Sequence, residues 1–264
     1  MKPKLVTRPP DRFFAFGCSF TNYDWLTWPE PIAADLDITQ YYNLGMPGAG
    51  NELIFNRLMQ VDSRFGLGPS DLVMICWSSI CREDRFVDRH WLSPGNIYSQ
   101  SIYPADFVER YFSDPASVSL HDFAFIRASR VLLEARGCQF HFIQMLDLSV
   151  FYDQWTCNKI EHRNELLELE LRTILPSFYH VLWDDDIEKR HVIEKQLYGS
   201  FNGHPGPAEH LRYLETVFDH KWKELTVSSV NFLEDGYQIA RKQGLKGINN
   251  FRRLRQPLPA KGIY

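Results

Sequence analysis

The stretch Phe13-Phe-Ala-Phe-Gly-Cys-Ser-Phe-Thr21 decides the fold. Its four apolar residues make a run too short for a helix, and Asp11 and Arg12 bound it with charge. Gly17 follows at once, then a hydroxyl at Ser19. That order reads as a buried strand ending in a tight turn. In open α/β sheets ligands sit beyond the carboxyl ends of the strands, so a serine there is placed to be a nucleophile. Gly17 lets the backbone turn sharply and leaves room beside Ser19. A second reading is open at this point: Ser19 or Thr21 as the cap of the next helix.

Working outward, Ile32 to Leu36 predicts a first helix, interrupted or preceded by Pro29 and Pro31, and Ile38 to Leu44 a second strand, ending in the glycine-rich turn Asn43-Leu-Gly-Met-Pro-Gly-Ala-Gly-Asn51. Apolar residues at helical spacing predict a helix over 52–61, with Asn51 as its N-cap. Asp71-Leu-Val-Met-Ile-Cys-Trp77 is a continuous apolar run, as expected of a strand covered on both faces. Residues 78–112 lack regularity and read as an insertion or lid. A helix follows from Asp114-Pro115 to Arg136, then a fourth strand over 139–146, a helical piece at 160–171, a fifth strand at Tyr179–Trp183, and a helix opened by Pro207. Strands alternating with helices predict an α/β fold, a three-layer sandwich around a five-stranded, mostly parallel, doubly wound sheet. The expected organisation is an N-terminal arm (1–11), one domain (12–225) and a basic C-terminal extension (226–264). Residues 236–264 carry seven basic residues and no acid. They read either as a solvated tail or as an arm that docks on an acidic partner or a neighbouring subunit.

A formal charge of −4 implies no general affinity for nucleic acid, and no apolar run approaches the length of a membrane span. No apolar segment follows the basic first residues, so a signal peptide is not expected. Five cysteines without CxxC spacing fit a reducing compartment such as the cytoplasm.

Ester cleavage needs a nucleophile, a base for its proton and donors for the oxyanion. Ser19 follows the first strand. The glycine turn after the second brings the Gly48 N–H close, and Ser78 and Ser79 follow the third with hydroxyl donors. Phe201-Asn-Gly-His-Pro-Gly-Pro207 holds His204 in a rigid loop before a helix. Arg82, with Glu83 and Arg85, is a candidate for binding a polar or anionic substrate group, with surface ion pairing as the alternative. Asp147 ends the fourth strand as a candidate pocket residue. His204, Glu209 and His210 do not share a helical face, so no metal is predicted. Gly48-Ala-Gly50 lacks the Gly-Lys-Ser/Thr of a phosphate loop, and no cofactor is expected.

These residues, in this order, resemble the SGNH (GDSL-type) hydrolase superfamily. Gly17-Cys18-Ser19 matches its G-D-S block with cysteine for aspartate. Asn43-Leu-Gly-Met-Pro-Gly48 is similar to the second block, and His204-Pro205 to the last. The longer strings around Ser19 and His204 look similar to SGNH-like proteins often encoded by bacteriophages. The resemblance implies Ser19 as nucleophile, His204 as base, and Ser19, Gly48 and Ser79 as oxyanion donors. The implied activity is that of an esterase or deacetylase on an acyl-ester substrate, acylated carbohydrate included, in a host cytoplasm or a virion. Two departures stand out. Ser79 occupies the place of the family's oxyanion asparagine. Phe201 occupies that of its aspartate, leaving Asn202, or an acid from Asp184-Asp185-Asp186, to orient His204. The alternative implied function is a catalytically impaired structural or binding module of a phage particle.

Overall fold

The computed structural model describes residues 1–97, 103–112, 115–149, 170–198 and 202–243. In chain order the elements are β1 (Arg12–Phe16), α1 (Pro29–Asp35), β2 (Gln40–Asn43), α2 (Asn51–Phe65), β3 (Asp71–Trp77), β4 (Arg82–Val87) and β5 (His90–Asn96). There follow α3 (Ala105–Tyr111), α4 (Pro115–Arg136), β6 (Gln139–Gln144), α5 (Phe178–Trp183), α6 (Ile187–Tyr198), α7 (Pro207–Val217) and α8 (Glu224–Lys242).

The fold is α/β. Four parallel strands lie in the order β2-β1-β3-β6. Successive side chains of a strand point to opposite faces, and ring contacts show what covers each one. Phe14 stacks on Tyr42 and meets Phe65 at the end of α2, whereas Phe13 meets Trp28 just before α1. On β6, Phe140 and Phe142 lie under Arg130 of α4, while His141 packs on Phe218 after α7. Helices α2 and α4 therefore cover one face, and α1 and α7 the other. Every residue of β3 is buried, which explains its unbroken apolar run. The chain runs outward from β1 to β2, then crosses back to β3. That reversal opens a crevice beyond the carboxyl ends of β1 and β3.

Three expectations need correction. Tyr179–Trp183 is not a fifth strand but lies in α5, which Ser177 starts by accepting the His180 N–H at 3.0 Å. Short apolar runs do not distinguish strand from helix, and here Phe178, Tyr179 and Leu182 are buried on a helical stripe. One bond, from Leu175 N–H to Phe142 O (2.9 Å), marks where a fifth strand would pair with β6. The stretch 78–112 is not irregular throughout, because β4 and β5 form an antiparallel hairpin and α3 follows. The basic tail does not begin as a separate extension. The expected boundary after residue 225 falls inside α8, which packs on α7 and α1 and buries Tyr237, Ala240 and Arg241. Residues 244–264, and nearly all of the predicted helical piece at 160–171, lie outside the described residues.

The hairpin is fastened to α2. Gly50, not Asn51, is the N-cap of that helix and has no side chain to offer. Asp84 of β4 supplies the cap, accepting the N–H groups of Gly50 and Leu53, each at 2.9 Å. Ser93 of β5 donates to the same carboxylate (2.5 Å). At the opposite end of the sheet, Arg12 grips the buried Asp71 with two bonds of 2.6 and 2.7 Å, and Asp71 also accepts the Gly68 N–H. Removing Arg12 leaves that carboxylate buried and unpaired. Arg12→Ala should therefore cost about 3 kcal/mol in chemical denaturation, with the distant crevice unaltered; a cost within the noise of a surface substitution would contradict this.

Candidate active site

Gly17 takes the chain out of β1 with φ +153°, and a Cβ there would lie 2.1 Å from Thr21 Oγ1 and 2.9 Å from Cys76 O. Only glycine permits that close approach to β3. The turn closes when Thr21 and Asn22 N–H groups donate to Cys18 O (3.0 and 3.1 Å), leaving Ser19 at its apex. The capping reading does not hold. The Thr21 hydroxyl donates to Phe16 O and accepts from Trp28 Nε1, and α1 has no side-chain cap. The Ser19 hydroxyl lies 2.8 Å from His204 Nε2.

His204 comes from the loop between α6 and α7, and its other nitrogen decides the chemistry. Nδ1 lies 3.0 Å from the carbonyl oxygen of Asn202 and 2.6 Å from its Oδ1. A carbonyl can only accept, so Nδ1 carries the proton and Nε2 presents a lone pair to Ser19. Tyr23 stacks on the imidazole at 4.0 Å and Phe20 covers it from a second direction. Burial pushes the imidazole pKa down to about 4; the Asn202 carbonyl opposes the fall and the Arg82 charge adds to it. His204 is thus a neutral hydrogen-bond acceptor across the physiological range.

The loop is held from α6. Glu194 accepts the Asn202 N–H at 2.7 Å and the Gly203 N–H at 3.4 Å, while Arg190 donates to the His204 carbonyl at 2.9 Å. Arg190 also pairs with Glu194 (2.6 Å) and Glu209 (2.7 Å), and Arg241 of α8 reaches Glu194 at 3.3 Å. Two arginines and two glutamates thus balance in charge around the histidine's backbone. Burial raises the Glu209 pKa, but its bonds to Arg190 outweigh that and leave it below the usual carboxylate value. Trp25 Nε1 donates to Pro205 O (2.7 Å), fastening the loop from the Ser19 side.

The sequence-predicted residues fall into three groups. Ser19, His204 and Asn202 form one hydrogen-bonded line. Gly48 has φ +86° in a turn tied to the end of β1 by Met46 N–H to Gly17 O (2.9 Å), and a Cβ on it would lie 2.9 Å from Ser93 O of the hairpin. Ser79 follows β3 and accepts the Cys81 N–H at 3.1 Å, which leaves its own proton to donate. The end of β3 is set by Asn51, which accepts the Ser78 N–H (2.8 Å) and donates to Asp122 (2.6 Å). Burial holds the Asp122 carboxyl pKa well above its usual value. Arg82 lies between the glycine turn and Met145, as described below. Asp147 is not brought to the line: its carboxylate is spent on the Ser149 N–H and hydroxyl (2.8 and 2.6 Å). Nor do the consecutive acids reach His204, because Asp185 pairs with His180 (2.9 Å) and Asp184 caps α5 in the left-handed region.

The chain matches no protein-family model and no curated protein. No group of three or more His, Cys, Asp or Glu suited to a metal occurs among the described residues, nor any helix long and apolar enough to cross a membrane. Sequence reasoning missed Tyr23, Arg190, Glu194 and Arg241. The available signal was the Arg190–Glu194 spacing of four on one helical face, which most often marks an exposed pair.

If Asn202 is what leaves the imidazolium uncompensated, Asn202→Asp should raise the His204 pKa from about 4 to about the ordinary 6.5 or above. Proton NMR titration of the imidazole reads this directly, and an unmoved pKa would contradict it.

Proposed function

We propose that this protein is a serine-dependent ester hydrolase of the SGNH (GDSL-type) kind. The observation that carries the reading is the line Ser19 Oγ to His204 Nε2 (2.8 Å) and His204 Nδ1 to Asn202 Oδ1 (2.6 Å), at the crevice where α/β sheets bind ligands. Ser19 Oγ attacks the ester carbonyl carbon while its proton passes to His204 Nε2. The carbonyl electron pair moves to oxygen, facing the Gly48 N–H and the Ser79 hydroxyl. When the tetrahedral adduct collapses, the carbon–oxygen bond to the alcohol breaks and that oxygen takes the proton from Nε2. Water then attacks the acyl-serine by the same route, giving a carboxylic acid and restoring Ser19.

Asn202 holds the correct tautomer but supplies no charge for the imidazolium. An amide in place of the triad carboxylate costs on the order of 10⁴ in rate, and loss of one oxyanion donor about 10²–10³. Slow turnover of short acyl esters is the expectation. Acyl groups on carbohydrate belong to the same class.

A second reading draws on those same two replacements: a binding or structural subunit on this fold, such as part of a phage particle, whose site has decayed. Reaction with a serine-directed phosphonate separates the two. Labelling that Ser19→Ala abolishes, with ester cleavage lost in parallel, supports the hydrolase; an unlabelled wild type supports the subunit.

The pH profile is a further check. The base works in its neutral form, so kcat/KM should fall only as pH drops through about 4, well below the value of about 6.5 for an ordinary histidine. An acid limb centred near the ordinary value would exclude a desolvated His204 as the base.

A further inference from the structure

Arg82 is the charged group of the crevice that the proposed reaction leaves without a task. Its guanidinium donates to Ala49 O at 3.0 Å, one residue from Gly48, and its second arm reaches Met145 Sδ at 3.8 Å. Met145 Sδ in turn lies 3.8 Å from the Sγ of Cys18, the neighbour of Ser19. The half-buried side chain thus links the Gly48 turn to Met145 just after β6, and Met145 in turn touches the Ser19 turn at Cys18.

Among the described residues no carboxylate lies within ion-pairing distance of this guanidinium. The surface-pair alternative belongs instead to Arg85, which binds Glu83 at 3.1 Å and lies over Tyr103 and Phe107. The carboxylates behind the histidine are engaged as well, Glu194 by Arg190 and Arg241, and Glu209 by Arg190. Asn202 stands where a triad would place a negative charge. Beside a neutral base and a neutral orienting group, Arg82 brings a guanidinium that no described carboxylate contacts, and its charge reaches His204, where Glu194 and Asp24 act in the opposite sense. A planar fork in such a place matches a carboxylate or phosphate by two parallel bonds.

We propose that Arg82 is the anion-binding residue of this site, and that the substrate is an ester carrying an oxyanion within a few bonds of the scissile carbonyl. The proposal rests on the ester-hydrolase reading for the word substrate, but the anion site does not depend on turnover. The test uses the full chain carrying Ser19→Ala, which binds without reacting, and monomethyl succinate with methyl butyrate as its neutral counterpart, titrated by calorimetry or NMR at low salt. Monomethyl succinate should bind more tightly than methyl butyrate. Arg82→Gln should erase that preference, weakening the anion by about tenfold or more, the scale of a lost charge-assisted hydrogen bond. Arg82→Lys keeps charge without the fork and should retain part of it, while Arg85→Gln should change nothing. Monomethyl phosphate in competition tells a phosphate from a carboxylate preference. Equal binding of the charged and neutral esters, or an anion preference that survives Arg82→Gln in a protein of unchanged NMR spectrum, would overturn the proposal. Absence of ester cleavage by the wild type, with anion binding intact, would instead overturn the hydrolase reading alone.

Discussion

The bonds from the Glu194 carboxylate to the Asn202 and Gly203 N–H groups are the constraint on which the site depends. In a five-stranded sheet, a strand would deliver the histidine loop to the crevice. Among the described residues the sheet stops at β6, and the loop hangs from α6 and α7. A loop without a strand needs its backbone polar groups satisfied some other way. Glu194 and Arg190 do this from one helix, and their burial is tolerable because each charge has an opposite partner in contact. The arrangement also explains why α8 packs where it does. Arg241 completes the balance around Glu194, and Tyr237 lies against Trp25, which fastens Pro205. The Ser19 turn, the His204 loop and α8 therefore form one packed unit.

How much of this was legible in the sequence varies with the kind of signal. The central strands β1 and β3 announce themselves because a strand buried on both faces must be apolar throughout, and β3 is the plainest case. The position of Ser19 followed from the Gly17 turn, since few other reasons exist for glycine at the exit of a core strand. His204 was legible only through its loop of glycines and prolines. The misread segment, Tyr179–Trp183, reads as apolar in either state, and the local mark of a helix is one serine just before it. Ser177 gives a helix its first bond, and a strand would have no use for it. The charges of α6 were opaque for a related reason. Burial of Arg190 and Glu194 depends on residues from α7 and α8, and nothing local distinguishes them from a solvated pair.

The hairpin has the same character. Read alone, 82–96 is charged and aromatic and looks like a solvated excursion. Its organising residue is Asp84, which serves a helix that begins 33 residues earlier, at Asn51. A glycine N-cap lets the chain pass closely under the hairpin, and the missing cap is returned from outside. The glycine turn of Gly48 is consequently shaped from above by Ser93 as well as from below by Gly17.

Ser19 and His204 are separated by 185 residues along the chain. Their contact is of the kind that forms late, because a long loop must be closed before it contributes. During synthesis Ser19 emerges first, and β2, β3 and β6 all follow before His204. The Ser19–His204 contact can therefore form only once the strands between the two residues in sequence have been made.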